Sequence, residues 1–232
     1  MSRGVIRDIM IVLFVRDLYN TIIRKKGTIV MNAQIILEQT LASIREAGTK
    51  PSLLLHACCA PCSSYVLEYL SPYFDISILF FNPNIYPPQE YYRRLEELRR
   101  MLRDMNHPAA LIEGAYEPHI FSEIARGHEA DAERGPRCAR CYEFRLAEAA
   151  KCAAKGGFDY FSTTLSISPH KDAAKLNETG LALSVEYGVE YLVSDFKKKN
   201  GYLRSLELSR QYGLYRQEYC GCRFSMREQK QQ

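Results

Sequence analysis

The sequence predicts an α/β fold: a mostly parallel five-stranded sheet with helices on both faces, Rossmann-like and doubly wound. Three observations predict it. Apolar runs of strand length alternate with amphipathic segments of helix length along the chain. Each strand–helix–strand step favours parallel neighbours joined by a right-handed crossover. No internal repeat, low-complexity segment or flexible linker interrupts the alternation.

The elements follow in order. Ala33–Ala47 carries Ile35, Ile36, Leu41 and Ile44 at near-helical spacing. Residues 53–57 (LLLHA) have the length and bounds of a buried strand, and residues 63–70 read as the helix after it, stopped near Ser71-Pro72. A second strand at 75–81 ends in the turn signal Asn82-Pro83-Asn84. Pro87 and Pro88 precede a long helix with Tyr91, Leu95, Leu98, Leu102 and Met105 on one stripe and Arg93, Arg94, Arg99, Arg100 and Arg103 on its other face. A third strand is expected at 109–112 and a short helix at 120–126. A polar loop then runs through Gly135-Pro136 to a helix at 138–154, closed by Gly156-Gly157. The fourth strand falls at 158–165. A loop at 166–170 opens a helix at 171–187, the fifth strand is at 191–193, and a last helix is at 202–212.

Residues 1–30 stand apart. Their apolar run at 9–15 is too short to span a bilayer, and no small-residue cleavage site follows it. They carry six Lys/Arg and two Asp/Glu, a net of +4, which is the formal charge of the whole chain. They read as an extension outside the domain, with 31–232 as one domain. The competing reading is an interfacial helix on a membrane. The rest of the chain is neutral, so the overall charge carries no nucleic-acid signal. From Asp195 onward there are nine Lys/Arg against four Asp/Glu, and this basic segment suits a polyanion or a plain solvated face equally well. No run is long and apolar enough for a transmembrane helix.

The chemistry lies in the cysteines. Seven of eight fall in three tight groups: Cys58, Cys59 and Cys62 at the end of the first strand; Cys138 and Cys141; and Cys220-Gly221-Cys222. Cys152, on an alanine-rich helix face, reads as a small core residue. A chain of 232 residues with clustered thiols and no export signal suits metal or redox chemistry in the cytoplasm, not a secreted disulfide scaffold. Four thiolates suit zinc or an iron–sulfur cluster. The irregular spacing favours the cluster, which spreads its ligands over several irons. Cys220 and Cys222, one glycine apart, either close a small labile disulfide or complete a metal site. His56 reads as a satisfied core histidine. His170, beside Lys171 and Asp172 at a loop-to-helix junction, is better placed for function, though helix capping explains it too. Asn82, Asn84 and Tyr86 lie beyond a strand end, as pocket or turn residues. Neither a Walker pattern nor a spaced glycine triad is present, which weakens any nucleotide-activating reading.

Seven separate motifs, in order between about Leu53 and Met226, resemble the QueH-type epoxyqueuosine reductases. They are His56-x-Cys58-Cys59-Ala60-Pro61-Cys62, Phe81-Asn82-Pro83-Asn84-Ile85, Arg137-Cys138-x-x-Cys141-Tyr142-x-x-Arg145-Leu146, Ser162-Thr163-Thr164-Leu165, Ser168-Pro169-His170-Lys171, Asp195-Phe196-Lys197-Lys198 and Tyr219-Cys220-Gly221-Cys222. The resemblance implies removal of the epoxide oxygen of epoxyqueuosine at the wobble base of tRNA, without cobalamin. It implies a [4Fe-4S] cluster on Cys58, Cys59, Cys138 and Cys141, a redox-active pair Cys220/Cys222, and a second iron that Cys62 or the Cys220/Cys222 pair could help hold. Cys58 or Cys59 could instead serve that second iron. His170 and Asp172 are the candidate proton donors. Lys197, Lys198, Lys199 and Arg204 are the candidate contacts to the tRNA backbone, and the electron donor is unidentified. The alternative is a non-catalytic zinc-binding RNA module.

Overall fold

The computed structural model describes residues 32–229, so the extension read at 1–30 lies outside the described residues. Strands β1 (Ser52–His56), β2 (Asp75–Phe80), β3 (Ala110–Glu113), β4 (Tyr160–Thr163) and β5 (Glu190–Tyr191) form one sheet in the order β3-β2-β1-β4-β5. Every neighbouring pair is parallel. The helices are α1 (Ala33–Ala47), α2 (Ala60–Leu70), α3 (Pro88–Asp104), α4 (Pro118–Ile124), α5 (Pro136–Gly156), α6 (Ala173–Tyr187), α7 (Gly201–Gln211) and α8 (Arg223–Gln229). The chain steps outward from β1 through β2 to β3, then returns to the other side of β1 for β4 and β5. The order therefore reverses between β1 and β4, and in such sheets the crevice at the carboxyl ends of those two strands is where ligands bind. The doubly wound fold expected from the sequence is borne out.

Both faces of the sheet are covered, which is why its strands read as continuous apolar runs. Successive residues of β1 serve opposite faces. Leu53 and Leu55 join Leu37, Leu41, Val66, Leu67, Leu95 and Leu98 on one side. Leu54 joins Leu146, Ala149, Phe161, Leu176 and Leu183 on the other.

Helix starts differ from the sequence reading where capping and proline decide them. Helix α5 begins at Pro136, earlier than expected, because proline is preorganised for the first turn. It ends at Gly157, whose φ of +68 suits a residue without Cβ. Helix α6 begins at Ala173 rather than 171, because Asp172 caps it: its Oδ1 accepts the Lys175 N–H at 3.1 Å. The fourth strand stops at Thr163. The apolar residues beyond it form a 3₁₀ turn, Thr164–Ile167, with the Thr163 hydroxyl accepting the Leu165 N–H. Helix α8 was not anticipated. Arg94, assigned to the polar face of α3, is buried at 2% exposure.

Candidate functional site

The three thiol groups all sit at helix starts. Cys59, in extended conformation (φ −171, ψ 162), is the residue before α2, and Cys62 lies in that helix's first turn. Cys138 is in the first turn of α5, with Cys141 one turn on. Cys220-Gly221-Cys222 leads directly into α8. A cavity of about 380 Å³ opens at the switch point and is lined by Cys58, Cys62, Arg145, His170, Lys171 and Cys220. Thiols from β1 and from the carboxyl-terminal turn thus reach one space.

The Sγ atoms of Cys58, Cys59 and Cys62 all lie within 4.8 Å of one another. Cys58 and Cys59, adjacent in sequence, bring their sulfurs to 3.6 Å. Thiolates around one tetrahedral metal ion stand about 3.8 Å apart, from a metal–sulfur bond of about 2.3 Å. Cys58 also meets the Thr164 hydroxyl across the crevice at 3.8 Å, and Gln217 Nε2 donates to Cys59 Sγ at 3.1 Å. Hydrogen bonds from Cys59 and Cys62 hold the Cys58 thiol well below its ordinary range. The same contact pushes Cys59 up to about 12.

Cys138 and Cys141 are buried, and burial raises both thiols. Cys138 packs in the same apolar cluster as Cys58. Cys141 packs with Cys222, Phe121 and Phe224. Arg145, 2% exposed, ties the groups together. Its guanidinium donates to Asn82 Oδ1 and lies 4.0 Å from Cys141 Sγ. Its charge also favours the thiolates of Cys58 and Cys220. Its Nε is buried with no hydrogen-bond partner. Asn82 in turn donates to the Ala57 carbonyl at 2.9 Å, fixing the end of β1.

The carboxyl-terminal turn is held from two sides. Lys171 Nζ, on a side chain 8% exposed, donates to Cys220 Sγ at 2.8 Å. Arg94 donates to the carbonyls of Cys220 (3.3 Å) and Tyr219 (3.4 Å), while its Nε pairs with Glu90 at 2.6 Å. Gly221 has φ +118, and a Cβ there would come within 3.0 Å of Arg94, so glycine suits this approach. Its carbonyl accepts the Tyr86 N–H at 2.8 Å. Cys220 and Cys222 are both free thiols.

Other sequence-derived candidates fall as follows. His56 is a satisfied core histidine: Nε2 donates to the Phe81 carbonyl and Nδ1 accepts from the Thr163 hydroxyl. Burial, with Arg145 nearby, lowers it to about 3, so it is neutral. Cys152 packs against the apolar cluster, as expected. His170 is exposed and lines the cavity, whereas the Asp172 carboxylate is occupied as the α6 cap. Asn84 is buried with an unpartnered Oδ1, and Tyr86 is 47% exposed. Lys197 pairs with Asp195, Lys199 with Glu38, and Arg204 with both Glu68 and Glu207, while Lys198 is exposed. The sequence reading quoted Lys171 and Arg145 within motifs but gave them no role, and it missed Arg94 and Gln217 as site residues. For Arg145 a signal exists: it lies four residues after Cys141 and seven after Cys138, on one helix face.

Fold and site together define an α/β protein with a thiol-lined cavity at the switch point of a parallel sheet. The family described as epoxyqueuosine reductase QueH matches residues 53–228. A protein of that name from Staphylococcus epidermidis is 42% identical over 216 residues, covering 90% of this chain and 91% of that protein. One from Streptococcus pyogenes is 39% identical over 203 residues, covering 86% and 80%. A U34-tRNA thiolase from Methanococcus maripaludis shares 11% identity at a TM-score of 0.48, covering 83% of this chain and 69% of that one. The chain belongs to the QueH family of epoxyqueuosine reductases.

Proposed function

We propose that the protein removes the epoxide oxygen of epoxyqueuosine at the tRNA wobble position. The products are the cyclopentene of queuosine and water, formed with two electrons, two protons and no cobalamin. The observation that carries this reading is the single cavity reached by Cys58, Cys62, Cys220, Lys171 and Arg145. Loop bases of an anticodon can be splayed out and read one at a time, as such a recess requires.

The residues suit an iron-bearing centre. The donor set is all thiol, and a buried guanidinium with a free Nε and no carboxylate partner calls for negative charge beside it. A 4Fe–4S cluster would be held by Cys58, Cys59, Cys138 and Cys141, and a second iron would draw on Cys62. Such groups, when bound, supply one-electron transfer and Lewis acidity toward the epoxide oxygen. The chain does the rest. Asn82 and Arg145 fix the thiol-bearing ends of β1 and α5, and the α3 clamp fixes the Cys220–Cys222 turn. His170 stands at the cavity as a proton donor, and Asp172 orients the start of α6. Lys197, Lys198, Lys199 and Arg204 contact backbone phosphates. Electrons come from an external donor, and the thiols work in the reducing cytoplasm. Among the described residues no helix is long and apolar enough to cross a membrane.

The test is anaerobic iron and sulfide analysis coupled to nucleoside mass analysis of treated tRNA. Iron, sulfide and the cyclopentene nucleoside are expected, and Cys138→Ser or Cys141→Ser removes all three. A colourless protein with stoichiometric zinc and no iron after reconstitution would favour the zinc-module reading instead.

A further inference from the structure

The cavity at the switch point holds about 380 Å³, the size of a pocket for one small molecule. It has room for the reacting part of a single nucleotide, so the nucleotides on either side must lie at its rim. Part of that rim is built by α7 and the segment after it, through Tyr202, Ser205 and Arg216.

Ser205 and Ser209 lie three and seven residues beyond Tyr202 and so share its face of α7. Both serines are buried, and both hydroxyls donate within the helix: Ser205 Oγ to the Tyr202 carbonyl at 2.7 Å, Ser209 Oγ to the Ser205 carbonyl at 2.6 Å. Ser209 Oγ also accepts from Arg216 Nη1 at 3.1 Å. That bond lays the guanidinium along α7, with its carbon over the Tyr202 ring at 6.0 Å from the ring centre. Arg216 is exposed, and it forms no ion pair among the described residues. Other cations of the basic segment differ: Lys197 faces Asp195, Lys199 faces Glu38, and Arg204 faces Glu68 and Glu207. Glu133 and Glu218 also line the cavity, and both are engaged with other groups. An uncancelled positive charge and the flat side of a tyrosine thus meet at the mouth.

We propose that Arg216 and Tyr202 dock the nucleotide next to the reacting one, the guanidinium taking its phosphate and the tyrosine ring stacking on its base. This rests on the RNA substrate of the reductase reading above, and it concerns binding, not the redox step. A guanidinium matches a phosphate because its planar fork meets two oxygens at once. The unpaired bases of a loop stack on an aromatic face whatever their identity. A lone phosphate would need only the cation; the adjoining ring, beside a recess for one neighbour, selects a nucleotide in a strand. Ser209 holds guanidinium and ring together in advance, so little freedom is lost when the strand arrives.

The test uses full-length holoenzyme and a fluorescent anticodon stem–loop RNA, with binding followed by anisotropy across salt. Arg216→Ala is expected to weaken binding by about tenfold and to lower the slope of log affinity against log salt by about 0.7. Arg216→Lys should keep the slope. Tyr202→Ala should weaken binding by about tenfold, whereas Tyr202→Phe, which retains the ring, should bind as wild type does. RNAs lacking the base on the 5′ or the 3′ side of the wobble position close the cycle. For one of the two, the missing base should weaken wild type by about tenfold and Tyr202→Ala no further. A purely structural role for Tyr202 would produce no such coupling. An unchanged salt slope in Arg216→Ala, or no coupling at either position, would overturn the proposal. Nucleoside mass analysis of tRNA treated with wild type separates this from the reductase reading. Coupled binding without cyclopentene product would sustain the dock and count against the reductase. Product without coupling would overturn the dock alone, and a wild type that binds no RNA would overturn both.

Discussion

The clamp behind the dithiol turn offers a sharp test of how the site is held. Arg94 and Glu90 form an ion pair at 2.6 Å with side chains 1% and 9% exposed, and Tyr215 adds hydrogen bonds to both carboxylate oxygens of Glu90. Arg94→Met leaves Glu90 buried with only Tyr215 opposite it. Breaking one side of a buried pair costs about 3–5 kcal/mol. The lost hydrogen bonds to the Tyr219 and Cys220 carbonyls are long and add about 0.5 kcal/mol each at most. In a domain of this size each kcal/mol shifts Tm by about 2–4 °C, so a fall of roughly 6–24 °C is expected. Circular dichroism on anaerobic holoprotein reads this directly. Glu90→Gln added to Arg94→Met should recover part of the loss, because it removes the orphaned charge. Cys220 should also alkylate faster in Arg94→Met as its turn loosens. A loss below about 1 kcal/mol, or a double variant no more stable than the single one, would refute the idea that the clamp is a desolvated charge pair.

Three further outcomes are expected. A Cβ at Gly180 would sit 2.4 Å from the Tyr191 ring, so Gly180→Ala should cost about 1–2 kcal/mol in urea unfolding even after a helix-propensity gain of about 1 kcal/mol. Burial raises the Glu190 carboxyl; its folded-state value lies above the unfolded one, so the stability it adds in acid is lost as pH rises and it becomes charged. Glu190→Gln should therefore stabilise at pH 7, with the gain fading toward about pH 4 in thermal melts. Lys198→Ala should lower the slope of log tRNA affinity against log salt by about 0.7–0.9, whereas Lys199→Ala and Arg204→Ala should lower it less, since those two cations already face carboxylates.

The sheet was legible because both of its faces are covered: buried parallel strands announce themselves as apolar runs between turn signals. What failed at β4 failed for the same reason. Leu165 and Ile167 are as apolar as the strand before them, and only the Thr163 hydroxyl, capturing the Leu165 N–H, ends the extended chain there. Helix α8 is only seven residues long and has little apolar periodicity to read. The thiol groups were visible from spacing, but their surroundings were not. Arg94, Arg145 and Lys171 look like surface charges in the sequence because a cation is mostly found outside. Their burial depends on partners 49 to 126 residues away at the dithiol turn, and on Asn82, 63 residues from Arg145. The same long-range pairing works in reverse for Lys199 and Arg204, whose apparent excess charge meets Glu38 and Glu68 on distant helices.

Charge ties the thiol site to its chemistry more firmly than spacing does. Among the buried cations Arg94, Arg145 and Lys171, Arg94 forms an ion pair with a carboxylate, that of Glu90. Arg145 faces an amide oxygen and the Cys141 sulfur, and Lys171 faces the Cys220 sulfur. An uncompensated buried cation costs several kcal/mol, and these two favour the anionic form of nearby thiols, Arg145 that of Cys58 and Cys220 and Lys171 that of Cys220. A core of neutral thiols would leave both stranded. The switch point supplies the place, and the two cations favour the thiolate at Cys58 and Cys220, whereas burial raises the Cys138 and Cys141 thiols.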